Sequence, residues 1–338
     1  MILQKITLQN FRSYAKREFD LDKVTVVVGE NGSGKSNLME AIYLAAVGKS
    51  FRADMEYEMI KYQESVASVE GIFIEGENLK IVLTDGSVGT TRKRFLVNGV
   101  SRRMIDVVGR FRAVLFSPQD LELITGSPSG RRRYLDFVIS QANREYRRCL
   151  ISYEKGLRQR NKLLDMLREG LADRNQLFFW DRLLIKNGNY LTQCRSAYLE
   201  NLGNGKYMAT YDSSIISESR LQQYEQEEVA AATTLVGPHR DNFIVNFKSR
   251  DVSKFGSRGE QRMAVLWLKQ GELKYLNSDS KPALLLDDIF SELDHRHREE
   301  VAKLVEQQVA SGGQVIMTAA DPHLLPVGEE WKQIHLPI

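Results

Sequence analysis

Val24-Thr25-Val26-Val27-Val28 is a β-branched run with no polar alternation, the pattern of a strand buried on both faces. After a short Gly-rich interval, Asn37-Leu38-Met39-Glu40-Ala41-Ile42-Tyr43-Leu44 changes to a helical pattern. Residues 1–28 as a whole read as strands. Val66–Ile74, Leu79–Leu83 and Thr91–Val97 predict antiparallel strands with turns at Gly76-Glu77-Asn78, Asp85-Gly86 and Asn98-Gly99, and Arg112–Phe116 adds a short apolar strand. From about Arg131 to Leu202 the pattern is helical, long and charged, with one break near Gly170-Leu171-Ala172-Asp173. Two antiparallel helices fit it, and the apolar positions Leu150, Tyr153, Leu157, Leu164 and Leu167 suit a compact hairpin arm. After a polar stretch at Ser213–Glu228, residues 233–338 return to strand, helix, acidic strand, helix and final strand. There is no internal repeat. The fold class is therefore α/β.

The Gly-rich interval, Gly29-Glu30-Asn31-Gly32-Ser33-Gly34-Lys35-Ser36, fits G-x-x-x-x-G-K-[S/T] at every fixed position and lies between a strand and a helix, as a phosphate loop requires. Its glycines let backbone N–H groups turn toward phosphates, and the positive end of the following helix adds attraction. Lys35 would bridge phosphate oxygens and Ser36 would ligate Mg²⁺; Asn37 and Arg12 join the candidate nucleotide contacts. The bland alternative is a turn that binds nothing. Ala283-Leu284-Leu285-Leu286-Asp287-Asp288 is a second apolar strand ending in paired acids. Asp287 would hold Mg²⁺ through water, and Asp288 would orient or deprotonate the water that attacks the γ-phosphorus. Many strands end in an acidic turn, so this pattern gains its weight from the phosphate loop.

Phe255-Gly256-Ser257-Arg258-Gly259-Glu260-Gln261-Arg262 leads into another helical pattern and resembles the signature motif of ABC-type ATPases. In that family the serine and glycine, here Ser257 and Gly259, contact in trans the nucleotide held by the other subunit, so the site closes only as a dimer. A serine N-cap with a capping glutamate explains the same residues locally. Ser291-Glu292-Leu293-Asp294 is similar to the family's D-loop. Narrower resemblances follow. Leu8-Gln9-Asn10-Phe11-Arg12-Ser13-Tyr14 looks like the opening of SMC-like and RecF-like ATPases, and Lys49-Ser50-Phe51-Arg52 is similar to RecF proteins. Residues 118–136, from Pro118 to Asp136, and Gly237-Pro238-His239-Arg240-Asp241 resemble two elements of the RecF family. The resemblance runs from residue 3 to about residue 320.

It implies an ABC-type P-loop ATPase head, a mixed sheet with an antiparallel β subdomain, and an inserted α-helical arm. The expected division is 1–118 plus 233–338 for the discontinuous ATPase domain and 119–232 for the arm. Gln119 stands where RecF proteins usually carry an acid, yet matches the wider Q-loop, whose glutamine reaches Mg²⁺ and the attacking water. Where transporter ATPases carry a switch histidine, this chain has Thr318-Ala319-Ala320, and His323 reads as an ordinary loop residue beside Pro322. Asp288 is one methylene shorter than the usual Glu, which implies slow hydrolysis.

Composition changes this picture little: 338 residues, 42% hydrophobic and 27% charged, make a globule large enough for two domains. Cys149 and Cys194 are isolated and read as reduced thiols of a cytoplasmic protein rather than zinc ligands or a disulfide. No apolar run approaches a membrane span and the N-terminus lacks a leader pattern. The charge distribution says more. Arg92 to Lys162 holds 17 Lys/Arg against six acids, +11, which leaves −8 for the rest of a chain whose net charge is +3. Clustered cations of this kind favour a phosphate backbone, with Arg102, Arg103, Arg131, Arg132 and Arg133 as candidate DNA contacts, although a solvated helix face is the usual reading of a charge run.

The expected activity is that of an ATP-dependent DNA-binding protein of recombinational repair and replication-fork maintenance. It would dimerise on double-stranded or gapped DNA with ATP and Mg²⁺, and release it by weak, DNA-stimulated hydrolysis. RecR and RecO are partners the resemblance implies. An SMC-like structural clamp is the alternative, with a transporter's ATPase subunit behind it; the short arm, the missing switch histidine and the basic segment weigh against these.

Overall fold

The computed structural model describes residues 1–87, 92–203, 205–277, 280–293, 295–321, 323, 325 and 331–337. The chain divides into two units, Met1–Asp120 with Leu268–Ile338, and Leu121–Trp267.

The first unit opens with the hairpin β1 (Leu3–Phe11) and β2 (Tyr14–Asp20), then the buried strand β3 (Val24–Val28) and helix α1 (Lys35–Val47). Strands β4 (Val66–Phe73), β5 (Asn78–Thr84), β6 (Lys93–Val97) and β7 (Val100–Arg102), the single turn α2 (Met104–Val107) and strand β8 (Ala113–Phe116) complete its first segment. The β6–β7 turn is built by Asn98 and Gly99, both at positive φ (51° and 75°), as a two-residue hairpin turn demands. Thr91, expected to begin β6, lies outside the described residues.

The second unit begins with the short α3 (Glu122–Thr125) and the helices α4 (Pro128–Ala142), α5 (Arg144–Arg168) and α6 (Phe178–Asn201). Strand β9 (Tyr207–Asp212), helices α7 (Glu218–Gln223) and α8 (Glu225–Ala231), strands β10 (Asn242–Phe247) and β11 (Arg250–Asp251), and the turn α9 (Val252–Phe255) follow. Helix α10 (Arg258–Leu276) carries the chain back to the first unit, which ends with β12 (Ala283–Asp287), α11 (His295–Ala310), β13 (Val315–Ala319) and β14 (Lys332–His335).

Three sheets form among the described residues. In the first unit an antiparallel sheet runs β2-β1-β4-β5-β6-β7, and a parallel sheet runs β14-β3-β13-β12-β8. The parallel strands β3, β12, β13 and β8 are buried along their whole length, as expected of strands covered on both faces. The buried side chain of Gln314 joins the two sheets. Its Oε1 accepts from Leu3 N–H at 2.9 Å, and its Nε2 donates to Leu3 O at 2.7 Å and Asp22 O at 3.1 Å, standing in for one rung of a ladder.

In the second unit, β11-β10-β9 forms a three-stranded sheet of its own. Here the structure differs from the expected boundary: residues 233–267 cluster with the inserted unit, because β10 pairs with β9 and not with the ATPase sheets. The stretch from Arg131 to Leu202 also holds three α-helices, α4, α5 and α6, where two were expected. Asn143 breaks the run by leaving helical φ/ψ and capping α5, its side chain accepting from Tyr146 N–H at 2.9 Å. The antiparallel pair α5 and α6 packs through a modified stripe. Leu150, Tyr153 and Leu164 are buried, but Gly156 and Arg160 take the positions between them. A Cβ at Gly156 would stand 2.6 Å from Leu183 Cδ2, so the helices meet where a side chain is missing.

Behind this pair lies a buried polar network. Asp241, fully enclosed, accepts from Arg195 Nη1 at 3.0 Å, from Ser214 N–H at 2.7 Å and from Tyr211 hydroxyl, while Arg195 also binds Asp136 at 2.8 Å and donates to Pro238 O at 2.7 Å. The Gly237–Asp241 element is thus a structural knot. Gly237 sits at φ 125°, and a Cβ there would lie 2.4 Å from Tyr153 hydroxyl.

Candidate nucleotide site

The carboxyl ends of β3, β12 and β13 lie side by side, where ligands of parallel sheets bind. Thr318 on β13 is in register with Asp287 on one side and Val27 on the other. Residues sharing a rung project from the same face about 4.8 Å apart, so the Thr318 hydroxyl can serve both acids that end β12. It donates to Asp287 Oδ1 at 2.8 Å and accepts the Asp288 backbone N–H at 2.9 Å.

Between β3 and α1 the phosphate loop takes the required shape. Gly32 and Gly34 are at φ 87° and 103°, and a Cβ on Gly34 would lie 2.6 Å from the Tyr14 hydroxyl, which donates to Gly34 O at 3.0 Å. Gly29 leaves room for the Ser33 hydroxyl, 2.6 Å from where its Cβ would be. Among the described residues, Ser33 Oγ is one of the few buried side-chain oxygens without a hydrogen-bond partner. Lys35 is 6% exposed and donates to the loop's own carbonyls, Gly29 O at 2.6 Å and Glu30 O at 2.9 Å. Ser36 Oγ donates to Asp287 Oδ1 at 3.1 Å across 251 residues of sequence.

The resulting cleft, about 200 Å³, is lined by Asn31, Gly32, Gly34, Lys35, Ser36, Asn37, Arg52 and Asp288, with Asp287 buried behind Ser36. Burial pushes the Asp287 carboxyl above its ordinary value, against the lowering pull of the Thr318 and Ser36 hydroxyls and the Arg52 charge. A carboxylate left under-stabilised by burial gains from a cation. The donor set, one hydroxyl and one carboxylate beside a phosphate cradle, suits Mg²⁺, which keeps several waters and takes few protein ligands. Asp288 holds φ 50°, a left-handed conformation that Asp tolerates better than most residues, and its carbonyl accepts from the Ser291 hydroxyl at 2.8 Å. Asp294, the last residue of the expected D-loop, lies outside the described residues, as does Pro322. His323 is exposed, and its N–H donates to Asp321 Oδ1 at 2.9 Å.

Two site expectations change. Arg12 is not among the cleft residues. Its guanidinium forms a two-pronged pair with buried Glu40, at 2.8 and 2.7 Å, and donates to Glu58 O at 2.6 Å. Glu40 also accepts from Ser50 hydroxyl at 2.5 Å, and Ser50 Oγ accepts from Arg52 N–H at 2.9 Å. Arg12 therefore braces the segment that presents Arg52, a cleft residue which sequence reasoning noticed only as part of a resemblance. Gln119 is exposed and outside the cleft lining. It sits on a 3₁₀ turn, Pro118–Leu121, fixed by its neighbour: Asp120 accepts Ser117 N–H at 2.7 Å and pairs with buried Lys269 at 2.9 Å.

In the second unit Ser257 caps α10 in a capping box. Its N–H and hydroxyl donate to Glu260 Oε2 at 2.8 and 3.0 Å, and its Oγ accepts Glu260 N–H at 3.3 Å. Gly259 follows on the first turn, and Ser257 is exposed.

The candidate DNA arginines separate into two groups. Arg102 and Arg103 are exposed at the end of β7, Arg103 paired with Asp106 at 2.9 Å. Arg131 is 8% exposed and spends its guanidinium on Asn242 Oδ1 and Gly126 O, both at 2.8 Å. Arg132 donates to Asp241 O at 2.8 Å, and Arg133 lies over the Phe137 ring at 5.3 Å. The expected triple patch is thus taken apart by internal contacts.

The family described as the RecF/RecN/SMC N terminal domain matches residues 2–336. The DNA replication and repair protein RecF of Thermomicrobium roseum is 36% identical, over 96% of this chain and 95% of that one, and its namesake from Herpetosiphon aurantiacus is 35% identical over 95% and 94%. A solved structure of the recombination mediator protein RecF with ATP, in the RecFOR pathway, superimposes with a TM-score of 0.85 at 30% identity, covering 95% of this chain and 92% of that chain. With the phosphate loop, the acidic strand end and the capped signature helix in family order along nearly its whole length, the chain belongs to the RecF family.

Proposed function

We propose that this chain is an ATP-dependent DNA-binding protein of recombinational repair and replication-fork maintenance, acting in the cytoplasm. ATP binds at the phosphate loop and a second copy closes over it. The pair holds double-stranded or gapped DNA, and slow hydrolysis, stimulated by DNA, lets go. The observation that carries the reading is the meeting of Ser36 with Asp287 at 3.1 Å beside a loop lined by Asn31, Gly32, Gly34 and Lys35, in a chain of this family. The resemblance from residue 3 to about residue 320 and the relatives' description as DNA replication and repair proteins support the repair context, with RecR and RecO as partners.

Lys35 exchanges the carbonyls of Gly29 and Glu30 for phosphate oxygens, so it arrives already desolvated and aimed. Backbone N–H groups of Gly32 to Asn37 cradle the phosphates at the start of α1, joined by the Ser33 hydroxyl. Ser36 and Asp287 would hold Mg²⁺, which, when bound, neutralises developing charge on the phosphates. Asp288 orients the attacking water and takes its proton, held in place by Thr318. Ser257 and Gly259 serve the nucleotide of the other copy. Their N-terminal position on α10 supplies a helix dipole to that contact.

The test is ATP-dependent dimerisation, followed by sedimentation with and without duplex DNA, in the parent and in Lys35→Ala. The parent is expected to dimerise with ATP and Mg²⁺, and the variant to lose nucleotide affinity and dimerisation together. Unchanged nucleotide affinity in Lys35→Ala overturns the reading.

A further inference from the structure

The antiparallel sheet of the first unit has one face in the core, while the other carries most of its exposed side chains, with Ser68 and Thr84 buried among them. Leu8, Val69, Ile81 and Phe95 form a continuous buried row across four strands, at most 5% exposed. One residue along, side chains point the other way. There the register runs from Lys16 on β2 to Gln9 on β1, Ser68 on β4, Val82 on β5 and Arg94 on β6. Two cations bound this row, and it contains no acid.

Lys16 and Arg94 are both exposed, and among the described residues neither has an ion-pair partner. Arg92, two residues before Arg94 and equally exposed, extends the β6 margin. The neighbouring row does contain acids, Glu18 and Glu70, but each is answered: Glu18 by Lys5 at 3.4 Å, Glu70 by Lys80 at 2.9 Å and by the Asn78 amide at 2.7 Å. The positive charge of the Lys16–Arg94 row is therefore not spent internally.

Four strand spacings separate the two cations, about 19 Å at ~4.8 Å each. That exceeds the ~12 Å opening of a major groove, so two such charges meet the backbones on either side of a groove rather than its base edges. Between them Gln9 is exposed, Val82 half-buried and Ser68 buried, and all three are neutral, so this stretch of the row holds nothing charged to desolvate. We propose that the solvent face of this sheet seats duplex DNA, with Lys16 and Arg94 each taking a phosphate on opposite backbones. The proposal rests on the reading that the chain holds DNA, and adds where it does so, on residues separate from Arg102 and Arg103.

Such contacts are sequence-independent and salt-sensitive, each phosphate neutralised contributing about 0.9 to the slope of log K against log salt. The experiment titrates the full chain, with ATP and Mg²⁺, against a labelled duplex and a single strand of the same length at several salt concentrations. It compares the parent, Lys16→Ala with Arg94→Ala, the charge-preserving pair Lys16→Arg with Arg94→Lys, and Lys23→Ala as a control at an exposed lysine. The alanine pair is expected to reduce the duplex slope by roughly 1.8, equally for unrelated sequences, and to change the single-strand slope by less. The charge-preserving pair and the control should match the parent, and all variants should keep the parent's nucleotide affinity. If the parent binds duplex and the alanine pair keeps its slope and affinity, the sheet face is not the seat. An equal slope loss on single strand overturns the two-backbone geometry, and a parent that binds no duplex overturns the functional reading itself.

Discussion

The Thr318 hydroxyl accepts the backbone N–H of Asp288 at 2.9 Å, and so anchors an aspartate whose φ of 50° few residues would hold unaided. The same oxygen donates to Asp287, so a single threonine ties together the two acids that end β12.

Thr318→Val removes both bonds at nearly constant shape. Stability is expected to fall by about 1–3 kcal/mol because the partners are left unsatisfied. Hydrolysis should slow at least about tenfold through misplacement of Asp288. Nucleotide affinity measured without metal should stay at the parent's value. Denaturant melts and single-turnover assays check this, and a rate within about threefold of the parent would show that Thr318 does not position the acids.

Asp288→Asn keeps tolerance of the left-handed conformation while removing the base. It is expected to bind ATP, dimerise and form a long-lived DNA complex, with hydrolysis strongly reduced. Asp288→Ala should lose the same activity and, in addition, about 1–2 kcal/mol of stability for the strained backbone. Equal melting of the two variants would refute the conformational part of this account.

Ser257→Arg should block dimerisation while leaving ATP binding by the monomer intact. The comparison is Ser257→Ala, since both variants lose the capping box, worth about 1 kcal/mol, and only one adds bulk and charge. Sedimentation with ATP distinguishes them. If the alanine variant is as monomeric as the arginine one, the cap and not the seam is responsible.

His239 gives the arm a pH signature. Its Nε2 faces Thr234 O at 3.0 Å, which can only accept, so Nε2 carries the hydrogen and Nδ1 accepts from the Tyr153 hydroxyl at 2.8 Å. Burial holds the imidazole neutral, with its pKa lowered to about 4, aided by the nearby Arg240 and Arg132 charges. The unfolded chain takes up a proton near pH 6.5 and the folded one does not. Stability is therefore fully present above 6.5 and lost as pH falls toward 4, by on the order of 3 kcal/mol. Denaturant midpoints across that window should flatten in His239→Gln, and identical pH profiles would rule the histidine out.

The phosphate loop was legible because its chemistry needs consecutive residues, and so was the acidic end of β12, which follows an unmistakable apolar run. Thr318 was not, because its role arises only when β13 takes its register beside β12, a pairing that local pattern does not encode. Arg131, Arg132 and Arg133 show the opposite failure. Three adjacent arginines read as one patch, but on a helix they diverge by about 100° per residue, so one of them must face the interior. The arm's extra break was missed since Asn143 is polar in a polar helix and shows its capping role only against Tyr146.

The Gln314 amide meets Leu3 across 311 positions, and β3 finds its parallel neighbours only in the last part of the chain. During synthesis the nucleotide unit therefore cannot close until residues beyond Ala319 have emerged. The inserted unit, Leu121–Trp267, is contiguous and complete well before that. Domains fold as they become available, so the antiparallel sheet and the arm can mature while β3 and β8 wait for β12, β13 and β14. The parallel sheet that carries the phosphate loop is thus the last part of the nascent chain to close.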